Sequence, residues 1–157
     1  MLTLGGEIIV FKKLVLIGLV SVALISFASE QTSPAGLWKT HDDKGKPTGY
    51  VRMLEDNGIY TGLIEKGLET DKEEQFCNAC KDERKNQKLI GMTMMKNVKA
   101  KGGVYADVYE GTEILDPFSG NTYRVKLTLK DAGKKMEVRG FVGVSLFRRT
   151  QIWDRAE

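Results

Sequence analysis

From residue 36 to the C-terminus the chain runs in short alternating stretches separated by turn residues. The clearest lies at 123–130. Tyr123, Val125, Leu127 and Leu129 share one face, and Arg124, Lys126, Thr128 and Lys130 share the other. A period of two with one apolar face predicts a half-buried antiparallel strand. Upstream, runs at 36–41, 50–55 and 59–65 read as strands. Asp42-Asp43-Lys44-Gly45-Lys46-Pro47 and Asp56-Asn57-Gly58 join them. Asn-Gly between alternating runs is a strong hairpin signal. Strand character returns at 89–98, and Lys101-Gly102-Gly103 turns the chain. Val104, Ala106 and Val108 then alternate with Tyr105, Asp107 and Tyr109, and Gly111 marks a bulge before Glu113-Ile114-Leu115. Asp116-Pro117-Phe118-Ser119-Gly120-Asn121 and Asp131-Ala132-Gly133-Lys134 are further turns, and 136–144 and 147–155 supply the last strands. About eight short strands with no long helix predict an all-β fold, and successive hairpins favour an up-and-down antiparallel barrel.

Strand parity predicts the interior. Trp38, Val51, Met53, Tyr60, Ile64, Met92, Met94, Val104, Ala106 and Val108 are expected to face inward, with Tyr123, Val125, Leu127, Val138 and Val142. In a small barrel, inward side chains either fill the space or line a cavity. Met92, Met94 and Met95 form a flexible, polarizable cluster suited to either role. A bulge in any strand would invert its parity.

The residues before the first strand change the picture. Lys12 and Lys13 precede the apolar run 14–25, and Ser26-Phe27-Ala28 supplies small residues for a cleavage site. That is the form of a secretory signal peptide, too short for a comfortable membrane span. The first ten residues extend upstream of it, and a translation start near Val10 would account for them. The expected mature chain is then a single barrel domain over 29–157, with no stable membrane span, in the periplasm or outside the cell. The whole chain of 157 residues carries 24 basic and 21 acidic side chains. Removing Lys12, Lys13 and Glu7 leaves 22 and 20, a formal charge of +2. So small a charge gives no reason to expect a nucleic-acid partner.

The alternation breaks over 66–88, a highly charged stretch that holds both cysteines, as Cys77-Asn78-Ala79-Cys80. In an oxidising compartment the pair is expected to form a disulfide. It would act either as a staple on a long connection or as a redox pair. Redox motifs of this spacing open a helix in a βαβ unit, and the sequence shows no such unit. A zinc site would need about four ligands, and His41 is the single histidine. His41 reads either as a solvated turn residue or as a group able to titrate near neutral pH. No nucleophile elbow, paired-histidine metal motif or phosphate loop occurs, so no catalytic residue and no cofactor is expected.

Several of these stretches resemble one exported bacterial family, domain of unknown function 2147. They are Gly36-Leu37-Trp38-Lys39-Thr40, the Cys77/Cys80 pair with Arg84-Lys85, and Ile114-Leu115-Asp116-Pro117 through Gly120-Asn121-Thr122-Tyr123. Val138-Arg139-Gly140-Phe141-Val142-Gly143-Val144-Ser145-Leu146 through Arg149-Thr150-Gln151-Ile152-Trp153 completes the set. The resemblance implies an exported eight-stranded barrel like that of lipocalins, with no agreed activity. It also implies barrel closure by Gly36 and Trp38, with Arg149 or Arg148 laid over the indole as a cation–π partner.

The expected function is therefore binding without catalysis. A small apolar or amphipathic molecule would sit in the barrel against Trp38, Met53, Tyr60, Ile64, Met92, Met94, Val108, Tyr123, Val125 and Leu127. Tyr60 and Arg124 would orient it near the mouth. The alternatives are an envelope interaction module with a packed core and binding loops at 66–88, or a thiol-disulfide protein using Cys77 and Cys80.

Overall fold

The computed structural model describes residues 33–42, 44–68, 75–143 and 147–157. The expected signal peptide and its extension, and the 144–146 part of the family-like motif, lie outside these, as do the side chains of Phe147 and Arg148.

Eight strands form in chain order: β1 Gly36–His41, β2 Pro47–Asp56, β3 Ile59–Gly67, β4 Thr93–Gly102, β5 Tyr105–Asp116, β6 Asn121–Lys130, β7 Lys135–Val142 and β8 Phe147–Arg155. Each pairs antiparallel with the next, and β8 returns to β1, closing the barrel. The β2–β3 hairpin turns at Asn57 and Gly58, with φ of 50° and 77°. Positive φ at both positions gives the turn a twist that matches the flanking strands. Among the described residues no helix is long and apolar enough to cross a membrane.

Alternation of the strands fixes two ends. One carries the starts of β1, β5 and β7 and the end of β8. The other carries the ends of β1, β3 and β5, the connection 75–92 and the turn 117–120, and here we call it the mouth. The interior towards the first end is filled by one buried cluster. Trp38, Met53, Tyr60, Met95, Val98, Tyr109, Leu127, Met136 and Trp153 are its larger members. Tyr60 and Tyr109 meet edge to face with ring centroids 5.4 Å apart, a geometry favoured by the ring quadrupoles.

Three expected inward positions are exposed instead: Val104 at 94%, Val142 at 53%, and Ala106. For Val104 and Ala106 the reason is that the β4–β5 hairpin outruns the core. Residues 99–107 are exposed on both faces, so the tip stands off the barrel as a two-stranded ribbon. Lower down, Tyr109 rather than Val108 joins the core cluster, although both are buried. A register shift between Gly111 and Ile114 then resets the parity, leaving Ile114 inward opposite Tyr123. Val142 keeps the inward parity of Met136 and Val138 but lies at the rim. β4 begins at Thr93 rather than 89, because 89–92 still belong to the connection.

Candidate ligand site at the mouth

The first end is plugged. Trp38 is fully buried, and its indole Nε1 donates to the Pro34 carbonyl at 2.8 Å. The cation over its face is Arg155, 4.3 Å from the ring centroid, in the place expected of Arg149 or Arg148. Arg155 also donates to the carbonyls of Gly133 at 2.6 Å, Ala35 at 2.7 Å and Ser33 at 2.6 Å. One guanidinium thus ties the lead-in, the β6–β7 turn and the first strand together. Burial pushes its pKa down from the ordinary value, yet an arginine of this kind stays charged. Arg149 shares the inward parity of β8 but stands at the mouth, opposite Gly140 and exposed. Gly36 opens β1 with φ of 123°, and a Cβ there would meet Arg155 Nη1 at 2.9 Å.

Along the inner face, burial falls from the plug towards the mouth. On β6 it passes from Leu129, Leu127 and Val125, all buried, to a half-buried Tyr123. On β7 it passes from Met136 and Val138, buried, through Gly140 to exposed Val142. On β8 it passes from buried Trp153 through half-buried Gln151 to exposed Arg149. Trp38, Met53, Tyr60, Val125 and Leu127, expected to touch a ligand, therefore pack against one another instead of against open space. Tyr60 lies at the plugged end, where its hydroxyl accepts from Ser33 Oγ at 3.3 Å, and its desolvated phenol has a raised pKa. Arg124 stands on the outer wall over Phe141, 5.5 Å from its ring. Neither is a mouth residue facing the interior. Met94 packs against the main cluster from a half-buried position.

The open space is at the rim. A pocket of about 520 Å³ is lined by Lys81, Asp82, Gly120, Asn121, Thr122, Tyr123 and Val142. That volume lies within the range of small-molecule sites. Tyr123 and Val142 bring the apolar inner wall to it, and Lys81 and Asp82 come from the 75–92 connection. Strand parity could find Tyr123. It could not find Lys81 and Asp82, whose place depends on how the connection folds.

That connection is fastened to the barrel. Cys77 and Cys80 form a disulfide, and both are buried with Leu89, Met92 and Leu115 in a second cluster, against which Ile64 packs. Ile64 and Met92, expected inside with the rest, thus belong beneath this connection. The cysteine turn abuts the β5–β6 turn: Cys77 Sγ lies 3.4 Å from the Pro117 carbonyl. A Cβ on Gly120, which has φ of 68°, would run into the Ala79 carbonyl. Arg84 is buried, with Nη1 at 2.7 Å from Glu113 Oε1 and 3.2 Å from the Thr93 carbonyl. Its Nε and Nη2 take both oxygens of Asp82. This hydrogen bonding holds the Asp82 carboxyl down at about 2. His41 lies on the outer wall, not in a solvated turn. Its Nδ1 is 3.1 Å from the Ile152 carbonyl and its Nε2 is 3.5 Å from Asp154. Among the described residues no group of three or more His, Cys, Asp or Glu side chains is arranged to hold a metal.

A similar barrel is known. Protein HP1028 from the human pathogen Helicobacter pylori, described as belonging to the lipocalin family, superposes with a TM-score of 0.67. The match covers 80% of this chain and 84% of that one at 17% identity, a likeness of fold. No curated protein matches the chain. The model of a family described as uncharacterized proteins conserved in bacteria, DUF2147, matches residues 36–155. That span runs from the glycine that opens β1 to the arginine over Trp38 and includes the cysteine clasp, so the chain belongs to the DUF2147 family.

Proposed function

We propose that this is an exported binding protein that takes a small amphipathic molecule at the mouth of its barrel, without catalysis. The observation that carries this is the rim pocket of about 520 Å³, where the inner wall surfaces at Tyr123 and Val142. An apolar group laid there would leave water, at roughly 25 cal/mol per Å² before the costs of association. The deeper interior takes no part in this reading, because its own side chains fill it. Export rests on the signal-peptide form of residues 1–28 and fits a disulfide in the mature domain. Native mass spectrometry of protein purified from its own host, followed by organic extraction, tests the reading. A bound amphiphile lost in Val142→Asp is the expected result. No co-purified small molecule, together with no binding across a broad panel of amphiphiles, would sink it.

The filled interior also favours a second reading, a module that binds another protein through the 75–92 connection. A partner that co-purifies with the wild type but not with a chain whose connection is replaced would support it. Burial of both sulfurs weighs against thiol-disulfide exchange, which needs an accessible thiolate.

A further inference from the structure

Resting on that reading of the pocket, we propose that Lys81 selects an amphiphile with an anionic head, a carboxylate or a phosphate. Two formal charges line the pocket, and they are not equivalent. Asp82 is already spent. Its Oδ1 accepts from the backbone N–H and Nε of Arg84, and its Oδ2 from Nε and Nη2. Arg84 is itself buried and also pairs with Glu113, so it offsets only part of the Asp82 charge, but its donors already occupy both Asp82 oxygens. Lys81 makes no ion pair among the described residues. Its Nζ donates to Asn121 Oδ1 at 2.9 Å, a neutral partner. An ammonium has three donors, so two remain for a ligand.

The Asn121 contact also sets where the charge stands. It draws a long, flexible side chain across from the 75–92 connection to the start of β6, beside Thr122 and Tyr123. The ammonium of the pocket is thus held at one wall with donors to spare, while Tyr123 and Val142 offer the apolar surface. An anionic head at Lys81 Nζ with its chain along Tyr123 and Val142 satisfies both. A cationic head would face the ammonium, and the one carboxylate of the lining already has both oxygens on Arg84.

The test is calorimetric titration of the disulfide-intact protein with decanoate, decyl phosphate, decanol and decyltrimethylammonium, each below its micelle concentration. Both anions are expected to bind about tenfold tighter than decanol, and the cation more weakly than decanol. A charge-assisted hydrogen bond at a half-exposed site is worth about that factor. Added salt should narrow the gap between anion and alcohol. Lys81→Gln should bring decanoate and decanol within about twofold of each other, and Lys81→Arg should restore the preference. Asn121→Ala, which releases the lysine, should weaken anion binding more than alcohol binding. Tighter binding of decyl phosphate than decanoate would assign the head to a phosphorylated lipid, and the reverse order to a fatty acid. Equal affinity for decanoate and decanol, or a preference untouched by Lys81→Gln, would overturn the role of Lys81 while leaving the pocket standing. Failure of all four probes to bind would remove the pocket reading itself.

Discussion

Arg155→Ala should be among the most damaging single changes in this protein. The substitution removes three hydrogen bonds from a charged donor, at 2.6, 2.7 and 2.6 Å, and a stacking contact at 4.3 Å over Trp38. Hydrogen bonds to charged groups are worth about 1.5–3 kcal/mol each, and a cation–π contact about 0.5–2 kcal/mol. The plain sum overshoots, because Arg155 is itself desolvated and water can reach some of the freed carbonyls. Discounting for both, the lost hydrogen bonds and stacking leave a net of about 3–5 kcal/mol. In a domain of this size that corresponds to a fall in Tm of about 10–20 °C. Urea and thermal unfolding followed by indole fluorescence measure it directly, since both tryptophans, Trp38 and Trp153, lie in the main cluster. Arg155→Lys keeps the charge but loses the planar fork and should fall in between. Arg149→Ala, at an exposed position at the mouth, should cost clearly less than Arg155→Ala. A loss below about 1 kcal/mol for Arg155→Ala, or an equal loss for Arg149→Ala, would refute the assignment of the plug.

Three further outcomes follow from the cysteine clasp at the mouth. Gly120→Ala should destabilise by at least about 2 kcal/mol, since it adds a side chain at positive φ and drives it into the Ala79 backbone; a urea midpoint equal to wild type would contradict the close approach. Replacing Cys77 and Cys80 together with serine should cost about 2 kcal/mol on the loop-entropy scale for so short a ring, and proteolysis should then begin within 75–92. Asp82, with its carboxyl held at about 2 against an ordinary 3.8, adds stability that is complete above about pH 4 and is lost as pH falls towards 2. Solvent screening keeps that contribution near 1 kcal/mol. Asp82→Asn should flatten this part of the acid limb in urea titrations, and an unchanged slope would discount the pairing with Arg84.

The barrel was legible because its strands alternate and its turns carry the residues that turns require. The run from Tyr123 to Leu129 and the Asn57-Gly58 hairpin are local signals, and the fold keeps both. Position along the barrel axis was not legible. Residues 149, 151, 153 and 155 share one parity, so alternation cannot say which arginine meets Trp38. The antiparallel return of β8 decides it, by bringing its last residue back to the plugged end. The same limit explains Val104 and Ala106, whose alternation is real but lies beyond the core. Tyr109 went unrecognised because Val104, Ala106 and Val108 make the opposite face of that run the more apolar one, although Val108 and Tyr109 are both buried. The pocket depends on the folded path of a charged connection with no period of its own. Its cysteines announced a tether but not the wall to which they are tied.

The projecting β4–β5 ribbon gives the protein a handle. Its tip at Gly102 and Gly103 lies at the plugged end, away from the pocket. Exposed tips of this kind accept insertions that the body of a domain would reject. A fluorophore or affinity peptide spliced there should leave the cavity unobstructed. Molecules anchored to a sensor through that point would present the binding end to the flowing solution, every copy facing the same way.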